Sequence, residues 1–78
     1  MSSNDADREK ARFIFEQVFS DLNVKGTKPE LDLDRDAYKA RIESGSMKGR
    51  IVFISTEKLQ DRDVSAESIR RILLDELK

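Results

Sequence analysis

Four consecutive apolar residues, Ile51 to Ile54, constrain the fold of this chain more than any other feature. They are all β-branched or aromatic, and polar residues stand on both sides of them. A short run of this kind is typical of a β-strand that is buried on both faces. A strand over residues 50–56 is therefore predicted, and a strand needs a paired strand and a covering layer.

Two segments with helical periodicity flank this strand. Between residues 5 and 22 the apolar side chains fall within an arc of about 140°, and they are Ala11, Ile14, Phe15, Val18, Phe19 and Leu22. Ser65 is placed to cap a second helix that runs to about Leu77, with Val64 and Ile69 as a hydrophobic staple. Apolar residues cover roughly 200° of this helix, which is wide for a helix that packs on one surface only.

The segment between the first helix and the apolar run holds two alternations that are out of phase. Leu31 and Leu33 are odd-numbered, whereas the apolar residues of 38–42 are even-numbered. A side-chain period of two cannot change phase without a turn or a bulge, and the aspartates of 34–36 favour a turn. Two short strands joined by a tight turn are predicted, with one bulged strand as the alternative.

The predicted element order is α-β-β-β-α, or α-β-β-α if the middle strand is continuous. An α+β domain satisfies this order, with a small antiparallel sheet of two or three strands and two helices on one face. Residues 44–49 are predicted to be a hairpin connection, and residues 57–63 a charged loop. Residues 1–4 are expected to form a disordered tail, and residues 5–78 a single domain.

Composition narrows the classes of function. The 78 residues include no cysteine and no histidine, and 40% of them are charged, with a net charge of -1. Disulfides and thiolate zinc sites are thereby excluded, as are Ser-His triads and the commonest acid–base side chain. No apolar stretch approaches the roughly 20 residues of a membrane span. We expect a cytoplasmic protein that is not an enzyme and uses no cofactor or metal.

Four acidic residues have the spacing of positions 1, 3, 5 and 12 of an EF-hand loop, and they are Asp32, Asp34, Asp36 and Glu43. Position 6 is Ala37, where that loop needs glycine for its sharp turn. The residues before Asp32 also lack the pattern of an incoming helix. An acidic strand face with a turn is therefore favoured over a calcium site.

Apolar residues beyond the needs of one small core are the most informative functional feature. Phe13 lies about 160–180° from the centre of the first helix's apolar stripe, and an aromatic residue on a polar face is a candidate contact residue. The predicted partner-binding residues are Phe13, Val52, Ile54, Ile72 and Leu74. The leading hypothesis is a protein-binding adaptor or regulatory domain that associates with itself as a homodimer.

Two alternatives stay open. Residues 37–56 carry a net charge of +3, four basic residues against one acidic, so Lys39, Arg41, Lys48 and Arg50 predict a hairpin that contacts nucleic-acid phosphates. Lys39 and Arg41 would also guard a sheet edge against wrong pairing. The third hypothesis is an inhibitor or accessory subunit of a larger enzyme, acting through the acidic segment 30–36.

Overall fold

Within the part of the chain that the structure describes, a three-stranded antiparallel sheet packs against three helices. This computed structural model describes the backbone of residues 3–77 and the side chains of residues 5–77. The elements are α1 (Ser3–Leu22), β1 (Glu30–Asp32), β2 (Ala37–Arg41), β3 (Ile51–Ser55), α2 (Thr56–Gln60) and α3 (Ala66–Leu77). The predicted α+β class and element order are confirmed, with one short helix added. Of the expected tail, residues 1 and 2 lie outside the described residues, and α1 begins at Ser3.

Helix α1 ends in a hydrogen-bonded C-cap. Asn23 has a φ of 58°, a left-handed conformation that asparagine tolerates better than most residues. The N–H of Asn23 donates to the carbonyl oxygen of Ser20 over 3.1 Å, and the N–H of Val24 donates to that of Phe19 over 2.9 Å. These are the two bonds of a Schellman motif. The helix therefore stops at Leu22, where its sequence predicted the end.

The change of phase between β1 and β2 is resolved by a turn and not by a bulge. Oδ1 of Asp32 accepts hydrogen bonds from the N–H groups of Asp34 (3.1 Å) and Arg35 (3.3 Å), and Asp36 has a φ of 52°. Aspartate favours both features, because its short side chain bonds the local backbone. Leu33 lies in this turn and is 83% exposed, so it does not extend the face that Leu31 begins.

One face of the sheet forms the core together with the helices. β2 is the central strand, and Tyr38 lies opposite Leu31 of β1 and Ile54 of β3. Directly opposite residues share a face, and the buried side chains that β2 and β3 place on this face are Tyr38, Ala40, Val52 and Ile54. The other side of the sheet, called here the open face, carries Glu30, Lys39, Arg41, Ile51 and Phe53. The apolar run is thus buried on one face and not on both, because the helices cover only one side.

Residues 57–63, predicted to be a charged loop, begin with helix α2. The Ser55 side chain caps this helix by accepting a hydrogen bond from the N–H of Glu57 over 3.1 Å. Leu59 is buried in the core, and its carbonyl oxygen accepts a hydrogen bond from Nζ of Lys10 on α1 over 3.0 Å. A five-residue helix with one buried apolar side chain shows no periodicity, which explains why the loop prediction was wrong here.

Helix α3 begins where the sequence predicted. Oγ of Ser65 accepts a hydrogen bond from the N–H of Ser68 over 3.1 Å, which is the bond of an N-cap. The side chains that α3 buries lie four residues apart, and they are Ile69, Leu73 and Leu77. An ion pair between Asp21 and Arg70 joins α3 to α1. None of the described helices is long and apolar enough to cross a bilayer.

Candidate protein-interaction surface

The five residues predicted to bind a partner do not form one surface. Val52 and Ile54 are 4% and 2% exposed, so they belong to the core. Phe13 on α1 is 55% exposed and Ile72 on α3 is 40% exposed, whereas Leu74 packs partly against the core. Side chains two positions apart on a helix are separated by about 200° around its axis. Ile72 and Leu74 therefore lie on opposite flanks of α3.

Phe13 lies at a groove of about 160 Å³ between α1 and α3, lined also by Ile14, Gln17, Ala66, Glu67 and Arg70. Arg70 in this groove forms ion pairs with Asp21 and Glu67. The hydrogen bond from Arg70 lowers the pKa of Glu67 below its ordinary value of 4.5, and the same bond raises the pKa of Arg70. These charges satisfy one another and tie the two helices together.

The basic residues of β2 lie on the open face and have acidic neighbours. Nζ of Lys39 is 3.8 Å from Oδ2 of Asp32, and Nη2 of Arg41 is 3.6 Å from Oε2 of Glu43. Because β2 is the central strand, neither basic residue guards an edge of the sheet, and that expectation is wrong. Their place on the open face still brings them beside the exposed part of β3.

The hairpin before β3 holds the other two basic residues, Lys48 and Arg50, in exposed positions. Gly49 has a φ of 95°, and its N–H donates to the carbonyl oxygen of Ile42 over 2.8 Å. The N–H of Ile42 in turn donates to the carbonyl oxygen of Arg50 over 2.9 Å. Ile42 therefore lies opposite two residues, Gly49 and Arg50. This arrangement is a β-bulge in which glycine has the left-handed conformation.

The open face carries two large apolar side chains among these charges. Ile51 is 50% exposed, and Phe53 is partly covered by Arg35, whose guanidinium carbon lies 4.6 Å from the ring centroid. That distance is typical of a cation–π contact. A shallow cavity of about 200 Å³ beside Ile51 is lined by Thr27, Glu30, Lys39, Ala40, Arg41 and Ile51.

The prediction overlooked Ile51 and Phe53 as surface residues because a continuous apolar run has no phase. A signal for them existed in β2, whose apolar residues are even-numbered. The observed register pairs odd with odd and even with even, as in Lys39 with Phe53. With that register, the even-numbered residues of β3 must face the core and the odd-numbered residues the open side.

The two edges of the sheet differ sharply. β1 has only three residues, Glu30 to Asp32, of which two are charged, and Pro29 precedes it. Short length, charge and proline are the features by which proteins blunt an edge strand. β3 at the other edge has five residues, Ile51 to Ser55, with no charge and no proline. Within the described residues, the β1 edge therefore has features that oppose strand pairing, and β3 has neither the charge nor the proline.

Hydrogen bonding at both ends of the β2–β3 pair shows which backbone groups of β3 face outward. The N–H of Ile42 bonds the carbonyl oxygen of Arg50, and the N–H of Thr56 bonds that of Asp36. Bonded and non-bonded positions alternate along an antiparallel pair. The even-numbered residues of β3 therefore bond β2, whereas residues 51, 53 and 55 direct their N–H and C=O groups away from it. No strand in the described part of the chain pairs with that edge.

The acidic residues of the β1–β2 turn are used within the domain. The carboxylate of Asp32 accepts bonds from the turn backbone and lies near Arg35 and Lys39. Among the residues that the structure describes, no group of three or more acidic side chains is arranged to hold a metal ion. The spacing of the aspartates thus serves a turn that orients β1 against β2.

Comparison with known proteins adds no relative to this description. No protein-family model, no curated protein and no solved structure matches the chain. The contrast between the two sheet edges and the exposed side chains beside β3 are therefore the observations on which a function can be argued. We call the outer edge of β3, with the side chains of Ile51 and Phe53, the β3 edge.

Proposed function

We propose that this chain is a protein-binding domain that accepts an extended strand of a partner at the β3 edge. The single observation that carries this proposal is the unprotected edge of β3 in a sheet whose opposite edge, β1, is blunted. Addition of a strand to an exposed sheet edge is a recurring mode of protein recognition. An edge with no charge or proline is otherwise a liability for a folded protein, and a partner strand removes that liability.

The mechanism divides affinity and selectivity between backbone and side chains. The outward N–H and C=O groups of residues 51, 53 and 55 bond the incoming backbone, which recognises any extended chain. Ile51 and Phe53 contact the side chains of that strand on the open face. Lys39 and Arg41 lie one strand further in and are paired with Asp32 and Glu43, so the selectivity rests on the apolar contacts of Ile51 and Phe53.

Nuclear magnetic resonance with a strand peptide tests the proposal. The probe is a capped peptide with the sequence of residues 49–57, GRIVFISTE, added to the isotope-labelled domain up to about 1 mM, enough to detect weak binding. The expected result is chemical-shift change concentrated at the amides of Ile51, Phe53 and Ser55. The domain is kept at a concentration where it is monomeric, so that no second copy covers the β3 edge. Change centred on Phe13 and the α1–α3 groove, or no change, then contradicts the proposal.

A proline variant provides the matched control for this titration. Phe53→Pro removes an outward N–H, and proline is tolerated on an edge strand when its N–H faces away from the sheet. The fold is therefore expected to survive while the peptide no longer binds. Ile72→Lys, at an exposed position of α3, is expected to leave peptide binding unchanged.

A second candidate function is the binding of single-stranded nucleic acid on the open face. One observation favours it: an aromatic ring, Phe53, lies on an open antiparallel sheet with Lys39 and Arg41 in the adjacent strand. Aromatic side chains on such surfaces stack with bases, and neighbouring cations contact phosphates. The acidic neighbours of Lys39 and Arg41 place this candidate second.

Fluorescence polarisation with a labelled single-stranded oligonucleotide distinguishes the second candidate from the first. Phosphate contacts predict binding at low salt that weakens steeply as salt is raised. Lys39→Gln and Arg41→Gln would then reduce the affinity and the salt dependence together. Absence of binding at low salt removes this candidate and leaves the β3 edge proposal untouched.

A further inference from the structure

On the basis of the proposed function, we infer that the strand accepted at the β3 edge is β3 of a second copy of this chain. The two strands run antiparallel, with the two Phe53 residues opposite each other at a two-fold axis. The product is a homodimer with one continuous six-stranded sheet, in which the open faces of both copies lie on one side and the helices on the other.

The bonding pattern of β3 fits its own copy. Residues 51, 53 and 55 direct their backbone groups outward, and 53 is the middle of the three. In the antiparallel arrangement Ile51 lies opposite Ser55 of the second copy, and Phe53 lies opposite Phe53 of the second copy. Each such pair exchanges two N–H···O bonds, so about six bonds join the copies. No outward group of the strand is left without a partner.

The charges at the ends of β3 select the antiparallel direction. Lys48 and Arg50 precede the strand and Glu57 follows it, and all three are exposed. Antiparallel pairing brings Arg50 near Glu57 of the second copy at both ends of the interface, where opposite charges attract. Parallel pairing would instead bring Arg50 near Arg50 of the second copy. The strand is thus complementary to itself in one direction only.

The side chains of the open face add to this complementarity. The two Phe53 rings become a cross-strand aromatic pair, and such pairs stabilise a sheet beyond the area that they bury. β3 holds no charge that would repel its copy. By contrast, β1 pairing with itself would bring Glu30 and Asp32 against the same acidic residues, which is destabilising.

Cysteine cross-linking maps this interface at residue level, because the natural chain contains no cysteine. Single variants Ile51→Cys, Phe53→Cys and Ser55→Cys are oxidised alone and in pairwise mixtures. Directly opposite residues of a bonded pair have Cα atoms about 5.5 Å apart, within the range that a disulfide spans. Ile72→Cys, on the exposed flank of α3, measures the rate of random collision.

The inferred register predicts a specific pattern of disulfides. Phe53→Cys links to itself, and Ile51→Cys links to Ser55→Cys in the mixture, each about tenfold or more faster than Ile72→Cys, because pairing raises the effective concentration. Ile51→Cys alone and Ser55→Cys alone link no faster than Ile72→Cys. The mixture retains Phe53 in both chains, so it tests the register without the loss of that ring.

Two patterns overturn the inference. Self-linking of Ile51→Cys and of Ser55→Cys above the rate of Ile72→Cys means that the strands do not pair in the inferred register. Linking at none of them above the rate of Ile72→Cys means that β3 does not pair with its copy. In that case the GRIVFISTE titration decides the proposed function separately: peptide binding at the β3 edge keeps it with a different partner, and absence of peptide binding rejects both.

Discussion

Asp36 and Thr56 are joined by two hydrogen bonds, because the backbone N–H and the hydroxyl of Thr56 both donate to the carbonyl oxygen of Asp36, each over 3.0 Å. This contact lies at the end of the β2–β3 pair and fixes which residues of β3 form hydrogen bonds with β2. Since bonded positions alternate, it determines that Ile51, Phe53 and Ser55 present their backbone to the outside. A residue of the β1–β2 turn, Asp36, thus determines which backbone groups β3 exposes at the edge on which the proposed function depends.

Removal of the Thr56 hydroxyl tests how much that contact contributes to the stability of the fold. Thr56→Val keeps the β-branched shape, and Thr56 is 8% exposed, so the change removes chiefly one buried hydrogen bond. The free energy of unfolding is expected to fall by about 1 kcal/mol, measured by urea denaturation. Thr56→Ser keeps the donor and should lose less. Equal stability of the valine variant and the natural chain would mean that the hydroxyl is not needed there.

Gly26 lies against the helix layer at a place with no room for a side chain. A Cβ atom at this position would lie 2.1 Å from Cε2 of Phe19, and that ring already stacks on Phe15 with centroids 5.9 Å apart. Gly26→Ala is expected to lower the free energy of unfolding by about 1–3 kcal/mol through overpacking, measured by urea denaturation.

A double-mutant cycle gives this prediction its control. Phe19→Leu removes the ring atoms that the new methyl group meets, so Gly26→Ala should cost less in the Phe19→Leu background than in the natural chain. Residues in contact show this kind of non-additivity. Equal costs in both backgrounds would place the strain elsewhere in the segment before β1.

Charge reversal at the ends of β3 tests the direction of pairing without a cysteine. Arg50→Glu and Glu57→Arg should each weaken self-association, because each variant brings like charges together at both ends of the dimer. An equimolar mixture of the two variants restores both attractive contacts and should associate as a heterodimer. Sedimentation velocity measures this, and a mixture as weak as either variant alone would argue against antiparallel pairing.

Glu67 makes stability depend on pH in a defined direction. The hydrogen bond from Arg70 lowers the pKa of Glu67 in the folded state, so its contribution is present above the ordinary pKa of 4.5 and is lost as the pH falls through the folded value. The contribution is small, because the pair is exposed to solvent. Melting temperatures of the natural chain and Glu67→Gln should differ above that range and converge in acid. A constant difference at every pH would exclude the ion pair as the cause.

Helices α1 and α3 and the β1–β2 turn could be predicted from the sequence because their signals are local. Periodicity located α1 and α3, Ser65 is a capping residue, and the phase change between Leu31 and Tyr38 required the turn that Asp32 and Asp36 form. Helix α2 escaped prediction because its one buried residue, Leu59, cannot create a period.

The candidate site was harder to predict from the sequence because it depends on strand order and register, which no single segment encodes. The run from Ile51 to Ile54 does not reveal which residues face the core, and the misplaced expectations for Val52 and Ile54 follow from that. The basic residues Lys39 and Arg41 were expected at an edge, but only the pairing of β2 on both sides shows that the edge belongs to β3.

The molar mass in solution, measured by light scattering over a roughly tenfold concentration range at physiological salt, tests the central claim most directly. The natural chain is predicted to reach the mass of two chains. Ile51→Lys, which places a lysine on the edge strand, is predicted to shift it toward one, and Phe13→Ala is predicted to leave it at two. A natural chain with the mass of one chain at every concentration, or an Ile51→Lys variant that remains fully dimeric, would contradict self-association through the β3 edge.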